Sequence, residues 1–205
     1  LSGKQLLIFH LRMSGRLTRT CSPEEVRHTR LILHLNRGKV YFINPRRLGT
    51  VEYSRNGFPH QLGIDPFDRE FTVECLEGIV AASRAPIKPL LMNQKKISGI
   101  GNIYSAEALW RARIDPRRAG NTLTQKEIRA LHPAIVGVLK EAIDQMGTTL
   151  GDTISDYRNT SGEYGGFQEV LSVYGREGET CRRCEKTIER IVQTGRSTYF
   201  CPGCQ

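Results

Sequence analysis

The sequence lacks the features of membrane proteins and of disulfide-stabilised secreted proteins. Its 205 residues include no run of eighteen apolar residues, so no segment is a candidate for a membrane-spanning helix. The opening Leu1-Ser2-Gly3-Lys4 has neither the basic nor the apolar region of a signal peptide, and we expect none. Four of the six cysteines lie together at the end of the chain, which is not the distribution of a disulfide scaffold. We therefore expect a protein of a reducing cytosol that has no membrane partner.

Acidic residues are scarce relative to basic ones. The chain has 30 Lys and Arg against 21 Asp and Glu, which gives a formal net charge of +9. A surface of this sign attracts polyanions, and nucleic acid is a better candidate partner than a membrane. Charge alone is a weak indication, because many basic proteins have no special partner.

The hydrophobic pattern divides the chain into a strand-rich and a helix-rich part. Residues 1 to about 55 are typical of strands, and the turn signal at 36–38 predicts an antiparallel hairpin. Residues 56–68 resemble a linker, and helical periodicity begins at about residue 70 with a helix over 71–82. A second long helix should begin at Thr124, where Thr-x-x-Glu forms a capping box, and end at Gly147. Pro133 inside it predicts a kink or a split.

The glycine-rich stretch from 147 to 180 predicts a long mobile loop, and such loops are often functional.

Two Cys-x-x-Cys pairs close the chain at the spacing of a zinc ribbon. Their four thiols predict a closed tetrahedral zinc site without an open position, so the metal should be structural: Cys181, Cys184, Cys201 and Cys204. Chance pairing and disulfides are the alternatives. Arg196 lies near the tip of the hairpin between the pairs. It is either a phosphate contact on a rigid finger or an ordinary solvated arginine.

Six stretches occur in an order that resembles one enzyme family. They are HLRMSGRL, NPRRLG, APIKPLLMNQKKISGIGNIYSAEALWRARIDP, GTTL, VYGREGETCRRC and GRSTYFCPGCQ. Together they closely resemble the formamidopyrimidine-DNA glycosylase family, whose relatives include endonuclease VIII, over nearly all 205 residues. The resemblance implies an enzyme that flips an oxidised purine, such as 8-oxoguanine, out of duplex DNA and excises it. It then cuts the abasic site by β,δ-elimination.

The resemblance also implies the fold. We expect an α+β protein with a partial N-terminal β-sandwich, then a helical domain with a helix–two-turns–helix motif, then a C-terminal zinc-ribbon finger. The expected division is residues 1–60 for the remainder of the sandwich, 68–150 for the helical DNA-binding domain, 151–180 for a lesion-recognition loop and 181–205 for the finger.

Family roles transfer to individual positions. Asn102 resembles the phosphate contact at a helix start, although a plain helix N-cap describes the same geometry. Lys88 resembles a lysine that binds the DNA backbone, and Arg84 is either a second cation beside it or a solvated helix end. His28 resembles a DNA contact. Arg196 resembles the finger arginine that binds the phosphates flanking the lesion and assists the final elimination, so it is the expected catalytic residue.

Three further residues resemble the wedge that refills the stack after the base is flipped: Met13, Arg46 and Leu48. Two apolar side chains replace the lost stacking, and the arginine contacts the orphaned partner base. Without the resemblance, Met13 and Leu48 would simply be core residues. The family commonly has Phe where this chain has Leu48.

The family's nucleophile is an N-terminal proline that is followed by a glutamate, and it acts by amine covalent catalysis. This chain begins Leu1-Ser2-Gly3. We expect it to be a fragment of a complete enzyme, unable by itself to excise bases. A shortened paralogue that binds DNA without catalysis is the alternative.

Three other functions stay open at this point. They are an endonuclease VIII-like pyrimidine glycosylase, a non-catalytic zinc-ribbon protein that binds lesion DNA, and a structural ribosome-associated ribbon. The loop from Thr148 to Gln168 keeps the Gly-Thr-Thr-Leu start and the Gly-Phe end of purine-type enzymes, which favours the purine function. We expect a monomer, with one zinc ion, that acts on damaged double-stranded DNA at the nucleoid of a bacterial cytoplasm.

Overall fold

The structure is a computed structural model that describes residues 3–148 and 165–205. The chain forms two compact units, one of residues 1–60 with 142–170 and the other of residues 61–141 with 171–205. Within the described ranges, no helix combines the length with the apolar character that a bilayer crossing demands. The division into four parts that we expect from the sequence stays a prediction.

The first unit is built from strands. Its elements are β1 (Leu6–His10), β2 (Arg16–Thr18), the short helix α1 (Pro23–Val26), β3 (Thr29–His34), β4 (Lys39–Ile43) and β5 (Thr50–Ser54). Strand β1 pairs with β5, and β4 lies between β2 and β3, with antiparallel pairing throughout. The predicted hairpin is β3–β4, which is closed where the Leu35 N–H donates to the Gly38 carbonyl at 3.1 Å. Gly38 has a φ of +88°, a conformation that glycine adopts without steric cost.

The apolar interior of this unit is centred on β4. Phe42 and Ile43 are buried, and the Phe9 ring meets the Phe42 ring edge-on at 5.4 Å. Arg16 and Glu25 tie β2 to α1 through a 2.6 Å ion pair. The C-terminal end of β4 therefore lies in the core.

The second unit is mainly helical. Its elements are α2 (Val73–Ala81), α3 (Ile87–Leu91), α4 (Asn102–Ala112), most of α5 (Gln125–Asp144), and the hairpin strands β6 (Glu189–Gln193) and β7 (Arg196–Phe200). The four helices share a core whose members are almost free of solvent exposure: Leu76, Val80, Ile87, Leu91, Leu109, Ile114, Leu131, Ile135 and Val138. The predicted helix over 71–82 is confirmed as α2, whose cap residue Thr72 accepts a hydrogen bond from the Cys75 N–H.

The capping box at the start of α5 is confirmed. The Thr124 hydroxyl accepts from the Glu127 N–H at 3.3 Å, and the Glu127 carboxylate accepts from the Thr124 N–H at 2.7 Å. Of the kink or split predicted at Pro133, the split is wrong, because α5 runs unbroken through that residue, and the kink stays a prediction. Pro133 lies on the exposed face, and so does Arg129 four residues earlier, where water can satisfy the carbonyl that loses its partner.

The glycine-rich stretch is only partly the loop that its composition predicts. Phe167–Val170 forms one turn of 3-10 helix, and the Phe167 side chain is fully buried. The glycine at 147 does end α5, with a φ of +91° and an N–H that donates to the Ala142 carbonyl at 2.7 Å. Residues 151–164 of the predicted lesion-recognition loop lie outside the described residues.

Candidate nucleic-acid interface and zinc site

Four cysteine sulfurs converge at the end of the second unit. The Sγ atoms of Cys181, Cys184, Cys201 and Cys204 all lie within 4.8 Å of one another. Individual pairs are closer, at 3.6 Å for Cys181–Cys204 and 3.3 Å for Cys184–Cys201. A tetrahedral zinc with Zn–S bonds of about 2.3 Å needs sulfurs about 3.8 Å apart. The cluster therefore fits one structural zinc ion, as the spacing predicts.

The thiols show why this cluster needs a cation. Burial and three neighbouring sulfurs raise the pKa of Cys204, so that thiol resists ionisation until a positive charge lies beside it. Burial also opposes ionisation of Cys181, but hydrogen bonds from backbone N–H groups, first that of Arg183 at 3.4 Å, overcome it and lower that pKa to about 6. A zinc ion held by all four thiolates would offset the remaining cost and supply folding energy.

The zinc-binding hairpin presents Arg196 at its tip. Strands β6 and β7 are joined by Thr194-Gly195, whose φ values of +48° and +75° give the two-residue turn that matches strand twist. Arg196 is the first residue of β7 and is exposed. The prediction that this arginine lies at or near the tip is confirmed.

The hairpin is docked on the loop that follows α4. Side-chain amides of Gln193 and Gln205 donate to the Pro116 carbonyl at 3.2 Å and the Ile114 carbonyl at 3.0 Å. The Arg117 guanidinium lies over the ring of Phe200, 4.7 Å from its centroid.

A second attachment is made by Arg183. Its guanidinium stacks 3.9 Å above the Trp110 ring and donates to the Trp110 carbonyl at 2.9 Å. These contacts hold the finger against the helices on two sides.

Residues from three distant segments meet between α3, α4 and β7. The Lys88 ammonium is buried, at 1% exposure, and donates to the Asn102 side-chain oxygen and to the Ser197 carbonyl, the latter at 3.3 Å. Ser197 directly follows Arg196 in β7. The structure therefore brings Lys88, Asn102 and the finger arginine to one place, although they are up to 108 positions apart in the sequence.

The charge balance of this cluster is unusual. Burial, and secondarily the positive charge of Arg196, lower the pKa of Lys88 to about 8. Within the described part of the chain, no carboxylate forms an ion pair with Lys88. A buried ammonium beside a guanidinium calls for an anion, and none is supplied by these residues.

Asn102 is not the helix N-cap that one interpretation of the sequence assigns to it. Gly101 caps α4, with φ −103° and ψ −173°, and Asn102 is the first helical residue. The Asn102 side chain does not cap the helix and is consequently available for hydrogen bonds to other groups. The oxygen accepts from Lys88, and the amide nitrogen donates to the Tyr174 hydroxyl at 3.4 Å.

Sequence reasoning missed Glu107 and Tyr174. Glu107 is fully buried in α4, and its two oxygens accept three backbone N–H groups, those of residues 172–174, each at 2.9 Å. The sequence signal for Glu107 was a carboxylate among small and apolar residues in the run Ser105–Leu109. Its partners lie more than 60 residues away, so no local pattern could name them.

The predicted DNA contacts of the first unit are exposed or half-buried, unlike the buried Lys88 ammonium. Met13 and Leu48 are 74% and 58% exposed, so neither is the core residue that its apolar character alone suggests. Arg46 is exposed, and His28 is half-buried. Burial and the guanidinium groups around His28, chiefly those of Arg27 and Arg30, lower the pKa of the imidazole.

Arg84 is exposed in the second unit, just after α2. Among the described residues, no hydrogen bond joins it to the Lys88 cluster. The prediction of a second cation beside Lys88 is not tested by this arrangement.

The second unit consists of helices on which a four-cysteine zinc hairpin is docked, and the tip of the hairpin carries an exposed arginine. These features define a class of zinc-finger protein that is suited to bind an anion. Three family models match the chain. They are the formamidopyrimidine-DNA glycosylase N-terminal domain over residues 1–51, the H2TH domain of the same enzymes over 62–153, and the zinc finger found in FPG and IleRS over 178–205.

Curated relatives and solved structures agree with the models. The formamidopyrimidine-DNA glycosylase of Desulfitobacterium hafniense is 42% identical in an alignment that covers 97% of this chain. The enzyme of the same name from Chloroflexus aurantiacus is 45% identical over all of this chain. Both alignments span 74% of the relative. The MutM (Fpg) protein of Thermus thermophilus superposes with a TM-score of 0.90 at 40% identity, covering all of this chain and 77% of that one.

A complex of Lactococcus lactis Fpg with DNA containing an abasic site superposes with a TM-score of 0.84 at 34% identity, over 98% of this chain and 75% of that one. The chain therefore belongs to the formamidopyrimidine-DNA glycosylase family. The fold class and the zinc ion that we expect from the sequence are confirmed.

Proposed function

We propose that the protein is a base-excision repair DNA glycosylase and abasic-site lyase. It removes oxidised purines, such as 8-oxoguanine and formamidopyrimidine, from duplex DNA and cuts the resulting abasic site by β,δ-elimination. Family membership supports the enzyme class. Solved relatives bound to DNA with an abasic site and to DNA with Fapy-dG support the kind of substrate.

The observation that carries the proposal is the Lys88 cluster. A buried ammonium, an amide at the first turn of α4 and an exposed guanidinium on the finger share one location. A DNA phosphate supplies the missing negative charge, and the N-terminus of an eleven-residue helix favours an anion. Lys88 and Asn102 then bind the backbone, while Arg196 binds the phosphates that flank the lesion and stabilises the phosphate leaving groups during elimination.

Residues of the first unit, together with Arg84, supply the remaining contacts in this proposal. His28 and Arg46 bind DNA, and Arg84 of the second unit adds a cation. Met13 and Leu48, together with Arg46, fill the gap that the flipped base leaves. High exposure of the two apolar side chains supports this role, because a wedge must be solvent-accessible before DNA arrives.

The relatives named above are bacterial proteins, which supports a place of action at the nucleoid of a bacterial cytoplasm. The protein should act as a monomer on its duplex. Analytical ultracentrifugation of the protein with one lesion duplex tests this, and a mass of two chains per duplex would contradict it.

The enzymatic proposal is tested with duplexes of one sequence that carry 8-oxoguanine, an oxidised pyrimidine or no lesion. The protein is produced as its gene encodes it, and borohydride is added to trap an amine–sugar adduct. We expect cleavage and trapping with 8-oxoguanine well above the other duplexes. Preference for the pyrimidine lesion would indicate an endonuclease VIII-like enzyme. Tight binding to lesion DNA without cleavage or adduct would leave a binding protein only.

A further inference from the structure

We propose that Glu107 is a positioning residue, which holds the segment Ser172–Tyr174 on α4 and thereby sets the geometry of the phosphate-binding group Asn102. The proposal rests on the DNA-binding function proposed above. Glu107 itself touches neither DNA nor Arg196. It acts through the backbone of the segment that leads into the zinc finger.

The buried Glu107 carboxylate accepts hydrogen bonds from three successive backbone amides, and we call this arrangement the clamp and residues 172–174 the clamped segment. One oxygen of Glu107 accepts from the Ser172 N–H, and the other accepts from the Val173 and Tyr174 N–H groups, all at 2.9 Å. Glu107 has no exposure, and within the described ranges its hydrogen-bond partners are all backbone amides. Charge-assisted bonds of this kind are about twice as strong as neutral ones, so the segment is fixed firmly.

The clamp leads directly to the phosphate cluster. The third clamped residue is Tyr174, whose hydroxyl accepts from the Asn102 amide at 3.4 Å. With its nitrogen bonded to Tyr174, the Asn102 side chain directs its oxygen towards Lys88. That oxygen accepts a hydrogen bond from the Lys88 ammonium. Glu107 and Asn102 are five residues apart on one helix, about 7.5 Å along its axis. The segment therefore runs back along α4 and bridges the two residues.

The Tyr174 ring connects the clamp with the finger as well. It packs edge-on against Tyr199 of β7, with ring centroids 5.0 Å apart. Lys88 reaches the same strand through the Ser197 carbonyl. A shift of the clamped segment would consequently reach both Asn102 and the strand that carries Arg196.

Charge, and not only shape, is required at position 107. A glutamine would keep the size of the side chain but place an N–H₂ group against backbone N–H groups. At least one buried donor would lose its acceptor. Glu107→Gln is therefore the test variant. Glu141→Gln is the matched control, because Glu141 also contacts α4, through a 2.6 Å ion pair with Arg111, but does not contact the clamped segment.

Two readouts separate positioning from general stability. Hydrogen exchange of the amides at 172–174, measured without DNA, should quicken at least tenfold in Glu107→Gln while zinc content stays at one ion. Affinity for a duplex with an abasic-site analogue should fall about tenfold, and affinity for undamaged duplex should fall less. In an Asn102→Ala background, the same substitution should add little further loss, because both changes remove one interaction.

Tyr174→Phe keeps the proposal testable if Glu107→Gln loses zinc or fails to fold. It removes only the hydroxyl that meets Asn102, and it should reproduce the loss of lesion preference with normal zinc content. Exchange and binding in Glu107→Gln that match Glu141→Gln would overturn the proposal, as would fully additive losses with Asn102→Ala. If the unaltered protein shows no preference for the abasic duplex, the proposed function fails. Rapid exchange in Glu107→Gln would then show a clamp without a role in DNA binding.

Discussion

Two predicted DNA-binding residues of the second unit, Lys88 and Asn102, differ from two of the first unit, Met13 and Leu48, in how they are held. In the second unit, Lys88 is buried, and the Asn102 amide is hydrogen-bonded through both its oxygen and its nitrogen. In the first unit, Met13 and Leu48 are largely exposed. Binding and folding should thus both depend on Lys88 and Asn102. Met13 and Leu48 should serve binding alone.

Removal of zinc should have the largest effect, because the metal site is the basis of order in the finger. A chelator should unfold the hairpin, since structural zinc contributes on the order of 10 kcal/mol in isolated fingers. The single tryptophan, Trp110, packs against the cysteine cluster, so its fluorescence should report the loss. Lesion-duplex affinity should fall at least a hundredfold. Cys75→Ser, outside the cluster, should retain zinc and binding; a chelated protein with unchanged fluorescence and affinity would contradict the site.

The next effect concerns the ionisation of Lys88. Its pKa of about 8 in the folded protein lies below the ordinary value of 10.5, because burial disfavours the charge. Lesion-duplex affinity should therefore fall up to tenfold between pH 7 and pH 9, as the ammonium deprotonates. Lys88→Met should bind weakly and without this pH dependence.

The same pKa has the opposite consequence for stability. The unfolded chain keeps the Lys88 proton up to about pH 10.5, so the free energy of unfolding should gain from Lys88 as pH rises from 8 to 10.5. Urea unfolding of the protein and of Lys88→Met across this window measures the difference. An identical pH dependence in the two proteins would show that Lys88 is not buried as a charge.

Changes to Met13 and Leu48, the proposed wedge residues, should have smaller effects and should spare the fold. Met13→Ala and Leu48→Ala should alter the free energy of unfolding by less than about 0.5 kcal/mol, as exposed side chains do. Each should weaken binding to the abasic duplex several-fold, and Leu48→Phe should strengthen it because an aromatic ring stacks better. Val26→Ala, at another exposed apolar position of this unit, is the control. A large loss of stability in either wedge variant would show that the contrast between the units is wrong.

The smallest effect is expected far from the site. A hydrogen bond from Arg118, with further bonds from Thr124, lowers the pKa of Glu127 to about 2. The contribution of Glu127 to the free energy of unfolding is present above pH 4.5, the ordinary pKa of a glutamate, and is lost as pH falls towards 2. Because the pair is partly exposed, we expect about 1 kcal/mol. Thermal unfolding of Glu127→Gln at pH 7 and pH 3 measures it, with Glu70→Gln as the control; an equal acid sensitivity in Glu127→Gln and the unaltered protein would contradict this contribution.

Local patterns in the sequence predicted much of the framework. The Thr124–Glu127 capping box, the hairpin turn at Gly38 and the cysteine spacing each depend on residues a few positions apart. Pro133 shows the limit of such rules, because its cost depends on whether the face of the helix is exposed.

The Lys88 cluster could be predicted only in part. The family motifs point to Lys88, Asn102 and Arg196, but not to the burial of Lys88 or to its bond with β7. The partners of Glu107 could not be predicted for the same reason. Its three partners come from a segment 65 to 67 residues later, and only the folded chain brings them together.

The central claim is that the Lys88 cluster and Arg196 form one phosphate-binding interface that recognises damaged DNA. The most direct test is the affinity of Arg196→Ala for an abasic-analogue duplex and for undamaged duplex, over a range of salt concentrations. Arg129→Ala, an exposed arginine on α5, removes the same charge as a control. We predict that the unaltered protein and the control prefer the abasic duplex. Arg196→Ala should lose most of this preference, with a salt slope smaller by about one. Equal affinity of the unaltered protein for both duplexes, or an unchanged preference in Arg196→Ala, would contradict the claim.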